Sequence, residues 1–192
     1  MRRELLGAFE DFTETYRRLG AHRFHGWDRA EDPRNYYGPL LWSEMDCALR
    51  MALALERRFP ERVHLEMPVA SWTFADYDKA VDKRQFVDIV VSDLREFVED
   101  ETTQARFIRH RHDIFIEAKY FPAGCSKTLK FDHLKKVPSV MADAERLQLH
   151  LERGHCSVAA VLVVDDDGLF SGESAKLDWP ADVIRLVATP PA

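Results

Sequence analysis

Two acidic residues interrupt stretches of the sequence that are otherwise strongly apolar. Asp88 is the only ionisable residue between Phe86 and Ser92, and Glu117 lies in the run Ile-Phe-Ile-Glu-Ala at 114–118. A lone carboxylate inside an apolar strand costs several kcal/mol unless it is paired, protonated or bound to a cation. These two positions therefore indicate a chemical use for the carboxylates.

A lysine and a third acid extend this set. Lys119 follows Glu117 by two residues, so both side chains lie on the same face of a strand. Glu44 stands in the first turns of a predicted helix, beside its apolar stripe, and we expect it to complete the site directly or through water. Carboxylates hold hard divalent cations through oxygen, and such a cation together with a lysine stabilises an attacking water and the charge that develops on a phosphoryl group.

The elements around these residues predict an α/β fold. Helices are predicted over residues 4–19, from near Pro39 or Ser43 to Phe59, and over 132–152. Strands are predicted over 62–70, 85–92, 113–121, 157–164 and 183–187. We expect a central mixed sheet of four to five strands flanked by helices, in the order helix, three strands, helix, strand, with an extra N-terminal helix. The acidic stretch 93–104 is predicted to form a solvated hairpin or flap.

Periodicity also predicts which faces are buried. The inward stripe of the second helix is predicted to comprise Leu41, Met45, Ala48, Leu49, Ala52, Leu55 and Phe59. The first strand is predicted to alternate, with Val63, Leu65, Met67 and Val69 on one face.

The ordered set of Glu44 on a helix, Asp88 in the second strand and Glu117-Ala118-Lys119 in the third resembles the PD-(D/E)XK nuclease superfamily, whose fold is that of restriction endonucleases. Its members share a core of helix, three strands, helix and strand, and the resemblance covers residues 39–165. It implies Mg²⁺-dependent hydrolysis of phosphodiester bonds, in DNA more often than in RNA, with Mn²⁺ able to substitute.

The resemblance also implies the roles of individual residues. Asp88, Glu117, the Ala118 backbone carbonyl and Glu44 would be metal ligands, and Lys119 would be the catalytic lysine. The sequence departs from the family pattern in three respects. Val87 stands where the motif has proline, the gap between Asp88 and Glu117 is longer than in compact members, and no Gln-x-x-x-Tyr follows the lysine.

The sequence divides into two predicted parts. Residues 1–38 are predicted to form an N-terminal helix and an irregular connection packed on the core, and residues 39–192 the nuclease-like domain. A basic stretch after the third strand suits either a phosphate-contacting rim or a solvated helix start and loop. Its lysines are Lys127, Lys130, Lys135 and Lys136.

Ordinary structural explanations exist for the same residues. Glu117 and Lys119 also suit a surface ion pair on an edge strand, and Glu44 suits an acid favoured by a helix N-terminus. A catalytically inactive nucleic-acid-binding or scaffold module with the nuclease fold is the alternative function. Four aromatic residues before and at the start of the second helix suit base stacking or core packing. They are Trp27, Tyr36, Tyr37 and Trp42.

Composition and simple motifs narrow the classes of protein to which the chain can belong. The 192 residues are 46% hydrophobic and 31% charged with a net charge of −6, which is typical of a globular protein with a real core. No apolar run is long enough to span a bilayer, and no signal-peptide pattern opens the chain, so we expect a cytoplasmic protein without a membrane partner. Three widely spaced cysteines argue against a disulfide framework. Serine-hydrolase, zinc-protease and phosphate-loop motifs are absent. We expect nucleic acid as the partner, with a homodimer or a larger defence or repair complex as possible assemblies.

Overall fold

A computed structural model describes residues 1–21, 43–69, 85–93, 98–100, 105–107, 112–121, 127–166, 168, 170 and 177–189. The helices are α1 (Arg2–Ala21), α2 (Glu44–Glu56) and α3 (Lys127–Glu152). The strands are β1 (Val63–Val69), β2 (Gln85–Val91), β3 (Val98–Asp100), β4 (Ala105–Phe107), β5 (His112–Phe121), β6 (Cys156–Asp165) and β7 (Ile184–Ala188). No helix within these ranges combines the length and apolar character that crossing a membrane requires.

Five strands form one mixed sheet in the order β1-β2-β5-β6-β7. The β1–β2 and β2–β5 pairs are antiparallel, whereas β5–β6 and β6–β7 are parallel. The connection from β5 to the parallel β6 contains α3, as a parallel crossover requires. The predicted α/β class with a mixed sheet of four to five strands is confirmed. The short strands β3 and β4 pair with each other as an antiparallel hairpin, close to where the acidic stretch predicted one.

Helices cover both faces of the sheet. On one face, buried residues of α1 and α2 share a hydrophobic cluster with alternate residues of the central strands, among them Ile116 and Leu162. On the other face, α3 packs through Val140, Ala144 and Leu147 against the remaining alternate residues. Because β5 and β6 are covered on both sides, both carry buried apolar residues on both faces.

The second helix begins and ends close to the predicted positions but buries a different face. The Ser43 side chain accepts a hydrogen bond from the Asp46 backbone N–H at 3.2 Å, which caps the helix at the later of the two predicted starts. Met45 and Leu49, both predicted to point inward, are 44% and 43% exposed. The helix instead buries a broad face toward the sheet and α1, so the predicted stripe was wrong at these two positions. The buried residues are Cys47, Ala48, Met51, Ala52, Ala54 and Leu55.

The prediction of clean alternation in β1 was also wrong. Glu66 has a φ of +49°, in the left-handed region that interrupts an extended strand. Val63, before this residue, packs on the cluster beneath α1 and α2, whereas Met67, after it, belongs to the cluster beneath α3. Leu65 is 38% exposed. The strand therefore changes the face that it buries at Glu66.

The third helix begins at Lys127, earlier than the predicted residue 132. It ends as predicted, just before Gly154, whose φ of +73° is the left-handed conformation that commonly closes a helix. The side chains of Tyr16 in α1 and Tyr120 in β5 both donate to the buried carboxylate of Asp166, Tyr120 at 2.8 Å. This shared acceptor fixes α1 against the sheet, although the predicted division at residue 38 stays a prediction. Residues 22–42, with the four aromatic candidates from Trp27 to Trp42, lie outside the described residues.

Candidate active site

Glu117 occupies the middle of the sheet. Its strand, β5, pairs with β2 on one side and with β6 on the other, and Glu117 is only 3% exposed. Ile116 and Ala118 point toward α1 and α2, so strand alternation directs Glu117 to the opposite face, where α3 lies. The interpretation of Glu117 as part of an exposed surface pair on an edge strand was therefore wrong.

Asp88 lies beside Glu117 on the neighbouring strand. The β2–β5 register pairs Ile89 with Ile116, and the next position along would set Asp88 opposite Glu117. Here the Asp88 carboxylate accepts a hydrogen bond from the Ala118 backbone N–H, with Oδ2 2.7 Å from the nitrogen. Ala118 thus supplies both the N–H that donates to Asp88 and the carbonyl that is predicted to be a metal ligand.

Lys119 and Glu44 come together from β5 and α2. The Lys119 Nζ lies 3.7 Å from Glu44 Oε2, so the start of α2 does reach the face that carries Glu117 and Lys119. The same Nζ lies closer, at 2.9 Å, to Asp143 Oδ2. Burial lowers the pKa of Lys119, but the ion pair with Asp143 and the charges of Glu44 and Glu117 outweigh it, and the pKa lies above its usual value. Lys119 is therefore held as a cation.

Two charged residues of α3 join the site, and neither was predicted from the sequence. Asp143 pairs with Lys119, and Arg146 Nη2 lies 2.6 Å from Glu117 Oε1 and 2.9 Å from Asp143 Oδ1. Asp143 is three residues after the buried Val140 and four before the buried Leu147, which places it on the inward side of the helix. That spacing is the signal that could have revealed it.

The electrostatic state of Glu117 is unusual. Burial, followed by the charge of Asp88, raises the pKa of Glu117 to about 8. The Arg146 guanidinium opposes this rise, and the Asp143 carboxylate adds to it. Desolvation and like charges thus dominate over the ion pair, which is common where carboxylates share a functional site.

The residues present fit a divalent cation in part. Glu117 Oε1 and Asp143 Oδ2 are buried and ion-paired, yet neither makes a well-directed hydrogen bond. Within the described portion of the chain, no group of three or more histidine, cysteine or acidic side chains is arranged to hold a metal ion. Mg²⁺ is commonly bound by one or two carboxylates with water completing its shell, so Asp88 and Glu117 are an adequate donor set for it.

The structure does not test the predicted basic rim. Lys127, Lys130, Lys135 and Lys136 lie in the first turns of α3, and their side chains are outside what the structure describes, so their phosphate-binding role stays a prediction. Near the start of β5, the His112 Nδ1 lies 2.8 Å from Ser92 Oγ, and Asp113 pairs with Arg62.

Comparison of the chain with protein-family models, with curated proteins and with solved structures found no match in any of the three. The interpretation of this site therefore depends on its residues and their geometry.

Proposed function

We propose that the chain is a metal-dependent nuclease of the PD-(D/E)XK, restriction-endonuclease-like class. The observation that carries the proposal is the placement of Asp88, Glu117 and Lys119. The two acids lie beside each other on neighbouring strands, and the lysine follows Glu117 on the same face. The element order α2, β1, β2, β5, α3, β6 agrees with the core that the superfamily resemblance implies.

Asp88, Glu117 and the Ala118 carbonyl would hold Mg²⁺ or Mn²⁺, with Glu44 reaching the ion through water. Such a cation would act as a Lewis acid toward the phosphoryl oxygen and would make the attacking water more acidic. Lys119 stabilises negative charge that develops on the phosphate, because the ion pair with Asp143 holds its ammonium in place and keeps it protonated. Asp143 is in this account a positioning residue.

DNA is the favoured substrate, and restriction, repair or defence against foreign DNA is the setting that such an activity would serve. The test is to incubate the purified protein with plasmid, linear duplex and single-stranded substrates in Mg²⁺, Mn²⁺ or chelator. We expect cleavage that requires the metal and is lost in Glu117→Gln, which keeps the size of the side chain. Cleavage in chelator, or equal cleavage by Glu117→Gln, would overturn the proposal.

The alternative function is a catalytically inactive nucleic-acid-binding or scaffold module. It is favoured by the partners that α3 supplies, since Arg146 pairs with Glu117 and Asp143 pairs with Lys119. In such a protein these contacts would be structural ion pairs. Nucleic-acid binding without cleavage under every metal condition would select this alternative.

A further inference from the structure

The charge partner of Glu117 is a partly exposed arginine. Arg146 Nη2 lies 2.6 Å from Glu117 Oε1, and the same nitrogen lies 2.9 Å from Asp143 Oδ1. The Glu117 side chain is 4% exposed, whereas that of Arg146 is 27% exposed. A partly solvent-exposed guanidinium therefore pairs with a buried carboxylate.

Lys119 and Arg146 share one acidic partner and differ in the other. Lys119 contacts Asp143 and Glu44, and Arg146 contacts Glu117 and Asp143. The like charge of Asp88 on the adjacent strand also acts on Glu117. Arg146 thus supplies positive charge at the point where the proposed function requires a metal ion.

We propose that Arg146 and the divalent cation compete for Glu117, so that Arg146 occupies the carboxylate in the metal-free protein and leaves it when metal binds. This inference rests on the proposed function. A guanidinium and a dication at one carboxylate oxygen would repel each other at short range in a poorly solvated site. Asp143 still offers Arg146 a partner after it leaves Glu117, so the released guanidinium need not remain unpaired.

The consequence is a metal site whose affinity is set below what its carboxylates alone would give. Arg146 neutralises charge in the metal-free state, and part of the metal-binding free energy is consumed in displacing it. Removing Arg146 should therefore tighten metal binding, although it removes a favourable contact from the metal-free protein.

The test is calorimetric titration of Mg²⁺ into the nucleic-acid-free protein at several pH values from about 8.5 upward, because loss of Arg146 raises the pKa of Glu117 further. Affinities are compared where they no longer change with pH, so that the Glu117 carboxyl is ionised in both proteins. We expect Arg146→Ala to bind Mg²⁺ about tenfold more tightly than the wild type. The matched control is Arg153→Ala, which removes the same charge from the exposed turn after α3 and should leave the affinity unchanged.

Glu117→Gln separates the two possible failures. If Arg146→Ala binds Mg²⁺ no more tightly than the wild type, while Glu117→Gln abolishes binding, the competition is wrong and the metal site stands. If neither the wild type nor Arg146→Ala shows Mg²⁺ binding that depends on Glu117, the proposed function fails, and the competition fails with it.

A measurement on the wild type keeps the inference testable if Arg146→Ala does not fold. Nitrogen-15 spectra of the arginine side chains should show the Arg146 signal moving on addition of Mg²⁺, because the guanidinium leaves Glu117. The Arg62 signal should stay in place, because its partner Asp113 is not part of the site. An Arg146 signal unchanged at saturating Mg²⁺ would overturn the competition.

Discussion

Asp88 takes part in two interactions that have opposite effects on stability. Its carboxylate satisfies the Ala118 N–H at 2.7 Å, which favours folding, and its charge repels Glu117, which opposes folding. A purely structural acid would show the first effect alone. The balance of the two is therefore a test of what the residue is for.

Asp88→Asn should separate these effects, because asparagine keeps an oxygen that accepts from Ala118 but lacks the charge. At about pH 8.5 in chelator, we expect the variant to melt about 2–4 °C above the wild type. Added Mg²⁺ should then stabilise the wild type by mass action and the variant much less. Thermal melts with and without metal measure both effects.

Asp88→Ala is the matched control, since it removes the charge and the acceptor together and should melt below Asp88→Asn. An Asp88→Asn variant that melts lower than the wild type in chelator, with no metal response in either protein, would contradict the metal site.

Glu117 gives the metal-free protein a distinct pH dependence. Its pKa rises from 4.5 in ordinary surroundings to about 8 in the folded chain, so folding favours the protonated carboxyl. The stabilisation is fully present below about pH 4.5 and is lost as the pH rises through 8. Relative to Glu117→Gln, the wild type should lose about 3 kcal/mol of unfolding free energy between about pH 5.5 and about pH 8.5. Denaturant titrations in chelator measure this, and parallel pH profiles would refute it.

Some charged residues of the site could be predicted from the sequence, and others could not. Asp88 and Glu117 stand out because each is alone in an apolar strand, where a charge needs an explanation. Asp143 and Arg146 lie among other polar residues of a long helix, where charges normally face solvent. The spacing of Asp143 from Val140 and Leu147 was the available signal, and the packing of α3 on the sheet shows that both charged residues point toward Glu117 and Lys119.

The third helix is the element that completes the site. It covers the sheet through Val140, Ala144 and Leu147, and the same packing brings Asp143 to within 2.9 Å of the Lys119 ammonium. Asp143 raises the pKa of Lys119 against the effect of burial. The helix therefore controls both the position and the protonation of the lysine.

Asp143→Asn should lower the pKa of Lys119 while leaving its packing nearly unchanged. We expect the alkaline limb of the pH profile of kcat/KM to move to lower pH and kcat to fall about tenfold, with DNA affinity retained. Glu145→Gln, an exposed neighbour on the same helix, is the control and should behave as the wild type. A profile unmoved in Asp143→Asn would exclude the positioning role.

Periodicity predicted the existence of the elements better than the faces that they bury. Met45 and Leu49 have helical spacing but are exposed, because α2 must contact both the sheet and α1 and turns another face inward. In β1, the left-handed backbone at Glu66 has no signature in the alternation of apolar residues. Both errors arise from tertiary packing, which a local pattern does not contain.

The described part of the chain is organised around a five-stranded mixed sheet with helices on both faces. The central strands of this sheet were predictable because they carry apolar residues on both faces. Contacts between residues far apart in the sequence could not be predicted. Tyr16 and Asp166 are 150 residues apart in sequence, and nothing local marks them as partners. The sheet order places β2 and β5 side by side, which is what brings Asp88 to Glu117.

The proposed nuclease is tested most directly by comparing DNA cleavage and DNA binding in Lys119→Ala. The lysine acts on charge developed in the transition state, so its loss should slow single-turnover cleavage about 100- to 1,000-fold while affinity stays nearly unchanged. Lys135→Ala combined with Lys136→Ala is the matched lysine control, expected to weaken binding and flatten its salt dependence. Cleavage by Lys119→Ala at the wild-type rate would contradict the proposed active site.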